Sequence, residues 1–258
     1  MKAVSHFKTN ETPAQKLRDA YESEYMDFVD LAAHELDAPL RKLTILTERL
    51  TTKFDAVGQD KEIQPYLERM QHCISEMRCL IDELSILGRV VSDSRQHVSC
   101  NVETIIKQVL PVLITSQTKK PNITISSLPI IEGNGEQFAR LFQNLLGNAI
   151  KFSKTDAPAE INIQSSVLST VEKDYFKLQQ EKKYHKIEIT DKGIGFKNEN
   201  AEKIFRPFVR LHGKSKFPGT GIGLSICKKI MENHGGIIYA EGNELEGSRF
   251  ILILPENQ

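Results

Sequence analysis

The stretch Asn144-Leu-Leu-Gly-Asn148-Ala-Ile-Lys151-Phe152 decides how the second half of this chain reads. Asn144, Asn148 and Lys151 recur at i, i+4 and i+7, so a helix sets all three on one face. An amide oxygen is a hard, neutral donor suited to Mg²⁺, and a lysine ammonium meets phosphate. The helix is expected over 135–152, with others over 102–113 and 221–234. Alternating or β-branched runs predict strands over 123–126, 160–167, 186–190, 237–241 and 249–254. Strands interleaved with helices make 99–258 an α/β domain. The span 172–183 is rich in Lys, Glu and Gln and reads as a solvated loop or helical excursion.

Upstream, the apolar period changes to about 3.5 residues. Tyr25, Val29, Ala32, Leu36, Leu40, Leu43, Leu46 and Leu50 mark a long amphipathic helix within 14–54. After a polar break at 56–61, Ile63, Tyr66, Met70, Cys73, Met77, Leu80, Leu84 and Leu87 mark a second. Two such helices form an antiparallel hairpin, which has too little partner surface to bury both stripes. Association with a second copy into a four-helix bundle is the expected solution. Gly88 and the polar segment 92–97 mark the boundary. The expected organisation is a linker over 1–15, a helical dimerisation domain over 16–90 and the α/β domain over 99–258.

Composition narrows the function classes. Thirty-four basic and 34 acidic residues leave a net charge of zero, so nothing general draws the chain to nucleic acid or an anionic membrane. The four cysteines form no C-x-x-C pair, which suits a reduced cytoplasmic setting. The longest apolar runs, such as Phe250 to Leu254, are too short to span a bilayer, and the first 16 residues hold no signal-peptide core.

On the first helix, His34 lies roughly 200° from both Ala32 and Leu36 and so points away from the apolar seam. Glu35 beside it is able to accept a hydrogen bond from one ring nitrogen and raise the nucleophilicity of the other. Pro39 cannot donate to the Glu35 carbonyl, so the helix is expected to kink or loosen there. Taken alone, a His-Glu pair on a helix reads first as an exposed surface pair and second as a nucleophile with its base, and no H-E-x-x-H zinc pattern accompanies it.

Three further elements follow the Asn helix. Asp191-Lys-Gly193-Ile-Gly195 ends an expected strand: its carboxylate suits an exocyclic amine, and its glycines allow close backbone approach. Ile204-Phe205-Arg-Pro207-Phe208, followed by Arg210, His212, Lys214 and Lys216, reads as a hinged lid with two aromatic anchors and positive charge for phosphates. Gly219-Thr220-Gly221-Ile-Gly223-Leu224 opens a helix whose backbone N–H groups suit phosphate. No P-loop is present.

In this joint order the chain resembles the catalytic core of a two-component sensor histidine kinase over about residues 20–256. Ala33-His34-Glu35-Leu36-Asp37-Ala38-Pro39-Leu40-Arg41 resembles the family's H-box, and the four later elements its N, G1, F and G2 boxes. Gly247-Ser-Arg-Phe250 fits the small element before its last strand. The Pro-Leu-Arg-Lys after the histidine resembles the bacterial phytochrome-type subgroup. The second half is similar to the wider GHKL family of gyrase, Hsp90 and MutL. The resemblance therefore implies a dimeric helical-hairpin bundle followed by a GHKL (Bergerat) α/β sandwich that binds ATP.

The resemblance also implies roles. His34 receives the γ-phosphoryl group, with Glu35 as its base or orienter. Asn148, assisted by Asn144, holds Mg²⁺. Lys151 lies near the phosphates or ribose, and Asp191 reads adenine. Gly193, Gly195, Gly219, Gly221 and Gly223 shape the pocket, while Phe152, Phe208, Arg210, Thr220 and Leu224 complete the nucleotide contacts. The implied partners are a second copy of the chain, a response-regulator receiver domain whose aspartate takes the phosphoryl group, and an upstream sensor domain or protein. The residues before the first helix are too few for a sensor, so a larger protein, membrane-bound or soluble, is the favoured source of the input. Transfer within the dimer is open to either chain.

Two positions depart from the family pattern. Many members carry Thr or Asn four residues after the histidine, where it positions a water for dephosphorylating the partner; here it is Ala38. Weak or absent phosphatase activity is expected. Asp37 replaces a frequent basic residue. The rivals are a silent dimeric scaffold, a clamp ATPase, which needs a further domain, and a serine kinase, against which the His-Glu-Pro helix weighs.

Overall fold

The computed structural model describes residues 32, 34–50, 63–92, 97–115, 119–154, 157–213, 217 and 219–257. Outside them lie Tyr25 and Val29, the polar break at 56–61, most of the segment 92–97, and Lys214 and Lys216. The chain forms two compact units, divided between Met77 and Arg78.

In the first unit, helix α1 covers residues 34–50 and continues unbroken through Pro39, where loosening was expected. Pro39 is itself buried, and His34 is exposed as its phase requires. Thr44 and Thr47 turn their hydroxyls back onto the carbonyls of Leu40 and Leu43, at 3.1 and 2.8 Å. Leu46 is buried, yet Leu40, a seam residue, is 53% exposed, and Ile45 is 48% exposed. On the second helix, α2 (Gln64–Ser92), Cys73 is buried while Leu67 and Ile74 are open. Both helices thus keep apolar side chains that this single chain does not cover.

The division falls inside α2, so its end belongs to the second unit. The helix runs through Gly88 rather than stopping there. A Cβ at Gly88 would meet nothing within 4 Å, so no neighbour's approach requires a glycine there, and it costs the helix about 1 kcal/mol.

The second unit is built on a five-stranded sheet, preceded by a two-stranded one. Strand β1 (Val98–Asn101) leads into α3 (Val102–Ile114), which Asn101 caps by accepting from Thr104 N–H. Then come β2 (Asn122–Ile125), β3 (Ile130–Gly133), α4 (Gly135–Lys151), β4 (Glu160–Val167), α5 (Thr170–Tyr175), β5 (Tyr184–Asp191), α6 (Gly223–Asn233), β6 (Ile237–Asn243) and β7 (Gly247–Pro255). Strands β1 and β3 pair antiparallel; the larger sheet has the order β2-β4-β5-β7-β6, with only β2 and β4 parallel. The five expected strands and three expected helices of this half are all present, within about two residues at each end. Strands β1 and β3 were not read from the sequence.

Helix α4 packs against α3 and α6 and over β5, and α6 packs over β6. Phe138, Leu141, Phe142, Leu145 and Leu146 of α4 are wholly buried, leaving its polar side to face the site. Asn134 caps α4, accepting from the N–H groups of Glu136 and Gln137 at 3.0 and 3.2 Å. Strand β7 is buried almost along its length, so both faces of the sheet are covered there. The excursion around α5 supplies part of that cover: Phe176 and Leu178 pack on Leu168, Tyr184, Ile251 and Ile253. A capping box between Ser169 and Glu172 starts α5, and bonds from Lys186 and Ser169 hold the Glu172 carboxyl down at about 2.

Candidate functional site

Helices α4 and α6, the end of β5 and described residues between 204 and 221 line a cavity of about 200 Å³ that opens to solvent. Asn144, Asn148, Lys151 and Phe152 line it from α4 and its end, as their shared helical face requires. Asn144 is braced: its Nδ2 donates to the Gly223 carbonyl at 3.1 Å, and its amide also bonds the Cys227 thiol. Burial pushes that thiol up to about 12, so Cys227 is an inert core group. Among the described residues the Asn148 amide meets no partner, which leaves it open to the cavity. Lys151 Nζ lies 4.7 Å from the Phe152 ring centroid. Burial and the Arg210 charge both lower its pKa, while the Glu83 carboxylate opposes them.

Asp191, the last residue of β5, is 5% exposed. Its Oδ1 accepts from Gly193 N–H at 2.8 Å and its Oδ2 from the Ser248 hydroxyl. Burial raises the carboxyl's pKa, and those hydrogen bonds pull the other way. Gly193 does not line the cavity; it acts behind it. A Cβ there would fall 2.5 Å from the Phe152 carbonyl, so only glycine lets this turn close against the end of α4, where Ile194 N–H bonds the same carbonyl at 2.9 Å. Gly195 reaches the lining directly.

The aromatic segment divides its work. Phe205 is buried and meets Phe250 edge-on at 6.4 Å. Phe208, expected among the nucleotide contacts, is not in the lining: it sits at φ +64°, and its N–H donates to the Gly221 carbonyl at 3.0 Å. Gly221 itself has φ +84°, and a Cβ there would lie 2.8 Å from the Phe208 backbone, so two tight turns lock together. Arg210 lines the cavity and its Nη1 donates to the Gly219 carbonyl at 2.6 Å. Gly219, Thr220, Gly221, Gly223 and Leu224 complete this wall. No side chain caps α6, so its first N–H groups keep their donor capacity for a ligand.

Several lining residues escaped the sequence reading. Ser248 comes from β7 and Glu83 from α2. Phe217 and His212 cluster with Phe152, with ring centroids 4.9 to 5.9 Å apart. The glycine-bounded Gly247-Ser-Arg-Phe250 motif was a signal for Ser248, and Phe152 and His212 were read as a nucleotide contact and as part of the lid; nothing in the spacing marked Glu83 or Phe217.

His34 and Glu35 lie on α1 in the other unit, one exposed and the other half-buried. Asp37 pairs with Arg41 across one turn at 2.8 Å, and Ala38 presents only a methyl group.

The cavity thus combines a buried carboxylate, two cations and an uncapped helix N-terminus, a set suited to a ligand with both an amine and several phosphates. Among the described residues no three His, Cys, Asp or Glu side chains gather as metal ligands. A neutral amide such as Asn148, beside Lys151 and Arg210, fits a hard divalent cation only when phosphate oxygens complete its shell. Among the described residues no helix is long and apolar enough to cross a membrane.

Residues 133–258 match the family described as histidine kinase-, DNA gyrase B- and HSP90-like ATPase. The chain is 29% identical over 229 residues to the phytochrome-like protein Cph1 of Synechocystis, covering 88% of this chain and 29% of that protein. It is 27% identical over 243 residues to the sensor protein kinase WalK of Staphylococcus epidermidis, covering 91% and 37%. It therefore spans about a third of the length of such relatives. A crystal structure of histidine kinase ThkA in complex with response regulator protein TrrA superposes with TM-score 0.65 over 99% of this chain and 68% of that one. At 20% identity that likeness is one of fold.

Proposed function

We propose that this chain, which belongs to the sensor histidine kinase family as a catalytic core, uses Mg-ATP to phosphorylate His34 and passes the phosphoryl group to an aspartate of a response-regulator receiver domain. The observation that carries this reading is the cavity itself: one wall joins the buried Asp191 carboxylate to the cations Lys151 and Arg210 and to the open start of α6. Asp191, held in place by Ser248 and Gly193, accepts from the exocyclic amine of adenine. Lys151, Arg210 and the first N–H groups of α6 take the phosphates, while Phe152, His212 and Phe217 shield them from water. Asn148 is the side chain that would hold Mg²⁺, with Asn144 keeping α4 and α6 at fixed separation. The bound ion would neutralise charge on the β- and γ-phosphates.

His34 supplies the nucleophile. Its exposed position on α1 leaves an imidazole nitrogen accessible, and Glu35 takes or orients the proton it loses. Phosphoryl transfer needs positioning and charge neutralisation more than covalent help, which suits a sparse set of this kind. The apolar groups left open on α1 and α2, Leu40, Leu67 and Ile74, support a hairpin that pairs with a second copy in a four-helix bundle. The likeness to ThkA, a kinase crystallised with a response regulator, supports the receiver partner. The input then comes from a sensor outside these 258 residues, and the core works in the cytoplasm.

Incubation with Mg²⁺ and γ-labelled ATP tests the reading. The expected label is acid-labile, alkali-stable and absent from His34→Gln. Label that survives acid or persists in the variant moves the acceptor elsewhere; ATP binding without any label favours a silent scaffold.

A further inference from the structure

Within the second unit, the end of α2 reaches the cavity with a carboxylate that the proposed chemistry does not use. Glu83 lines the cavity and accepts a hydrogen bond from the Thr220 hydroxyl. Its charge is also felt at Lys151, where it opposes the effects of burial and of Arg210. A second tie holds the same helix further along: Asn233 Nδ2 donates to the Val90 carbonyl at 2.7 Å, and the Val90 side chain is buried. Seven residues make about two helical turns, so Glu83 and Val90 share one face of α2. Thr220 lies just ahead of α6 and Asn233 is its last residue, so the two ties fall at either end of that helix.

The Glu83 carboxylate therefore takes the Thr220 hydroxyl just ahead of α6 and is felt electrostatically at Lys151, on a cavity whose other groups, the Lys151 ammonium and the uncapped start of α6, are those that a phosphate seeks. Two anions in one half-closed cleft repel each other, and both cannot take the Thr220 hydroxyl at once. We infer that Glu83 is a built-in competitor of nucleotide phosphate: with α2 docked on α6 its carboxylate occupies the phosphate-binding groups, and nucleotide binding and docking of α2 oppose one another. The inference rests on the nucleotide reading of the cavity. Coupling of this kind is reciprocal. Nucleotide phosphate releases the end of α2, and a displacement that draws α2 away raises nucleotide affinity in proportion to the fraction of undocked molecules.

The test compares the whole chain with Glu83→Gln and Asn233→Ala, titrated with Mg-ATP and with adenosine by calorimetry. Glutamine keeps helix propensity and removes only the charge. Loss of one charge-assisted contact predicts ATP binding about three- to tenfold tighter in Glu83→Gln, with adenosine affinity unchanged. Asn233→Ala, outside the cavity, shifts ATP affinity in the same direction because it loosens the second tie. ATP affinity equal to or weaker than wild type in Glu83→Gln overturns the inference, as does an equal gain for adenosine, which would mean general opening rather than competition with phosphate. Wild type that binds no ATP overturns the nucleotide reading and the inference with it; wild type that binds ATP while Glu83→Gln changes nothing overturns the inference alone.

Discussion

Ser248 stands directly across from Asp191 in the register of β5 and β7, and its hydroxyl donates to the Asp191 carboxylate. That hydrogen bond pulls the carboxyl's pKa down against the burial that raises it. Replacing Asp191 by Asn separates the two effects. Loss of a charged acceptor for an amine should weaken ATP binding about ten- to a hundredfold in a fluorescence titration. The same change should stabilise the empty protein at neutral pH. Because the folded-state pKa is raised, ionisation penalises the fold as pH climbs from the ordinary carboxylate value through the raised one. The melting-temperature gain of Asp191→Asn over wild type should therefore grow with pH across that window and level off above it.

Metal binding should follow nucleotide. With no cluster of acidic ligands among the described residues and two cations beside Asn148, Mg²⁺ alone finds too few oxygens. Calorimetry should show no Mg²⁺ binding to the free chain in the millimolar range and clear binding once ADP or ATP is present. Asn148→Ala should abolish the Mg²⁺-dependent part of ATP affinity and spare the metal-free part.

Ala38, four residues after His34, offers a methyl group where a water-positioning side chain would be needed. The unphosphorylated chain should leave the lifetime of a phosphorylated cognate receiver unchanged. Ala38→Thr should shorten it severalfold, since the hydroxyl restores a group that orients water. Phosphate release measured with both proteins checks this; acceleration by the wild type would contradict it.

His234 joins the two ends of the helical layer. Its Nδ1–H donates to the Ile230 carbonyl at 2.7 Å and its Nε2 accepts from Asn134 N–H at 3.0 Å, while its ring packs on Phe138 and stacks on His97. Such bonds demand the neutral ring with its proton on Nδ1. His234→Ala leaves a cavity and an unpaired buried N–H, and should cost about 2–4 kcal/mol in urea unfolding.

Local chemistry in the sequence determined most of the plan. Helix α4 was legible because its apolar residues repeat at helical spacing while Asn144, Asn148 and Lys151 fill the remaining face, and β5 because β-branched residues alternate up to Asp191. The glycine turns around Gly193 and Gly221 and the exposed phase of His34 belong to the same class: each depends on residues within a turn or two. Other features depend on register and on elements far apart in the chain. Ser248 meets Asp191 only because β7 lies beside β5, Phe152 meets Phe217 only because two residues 65 apart in the chain come together, and Glu83 reaches Thr220 only because the end of α2 is tied to α6. Phe208 illustrates the limit from the other side, since its aromatic character suggested a ligand contact and its backbone instead secures Gly221. Periodicity reports which face of an element is apolar. Which partner that face meets is settled by packing across the whole fold, which is where the pocket's carboxylate clamp and its competitor on α2 arise.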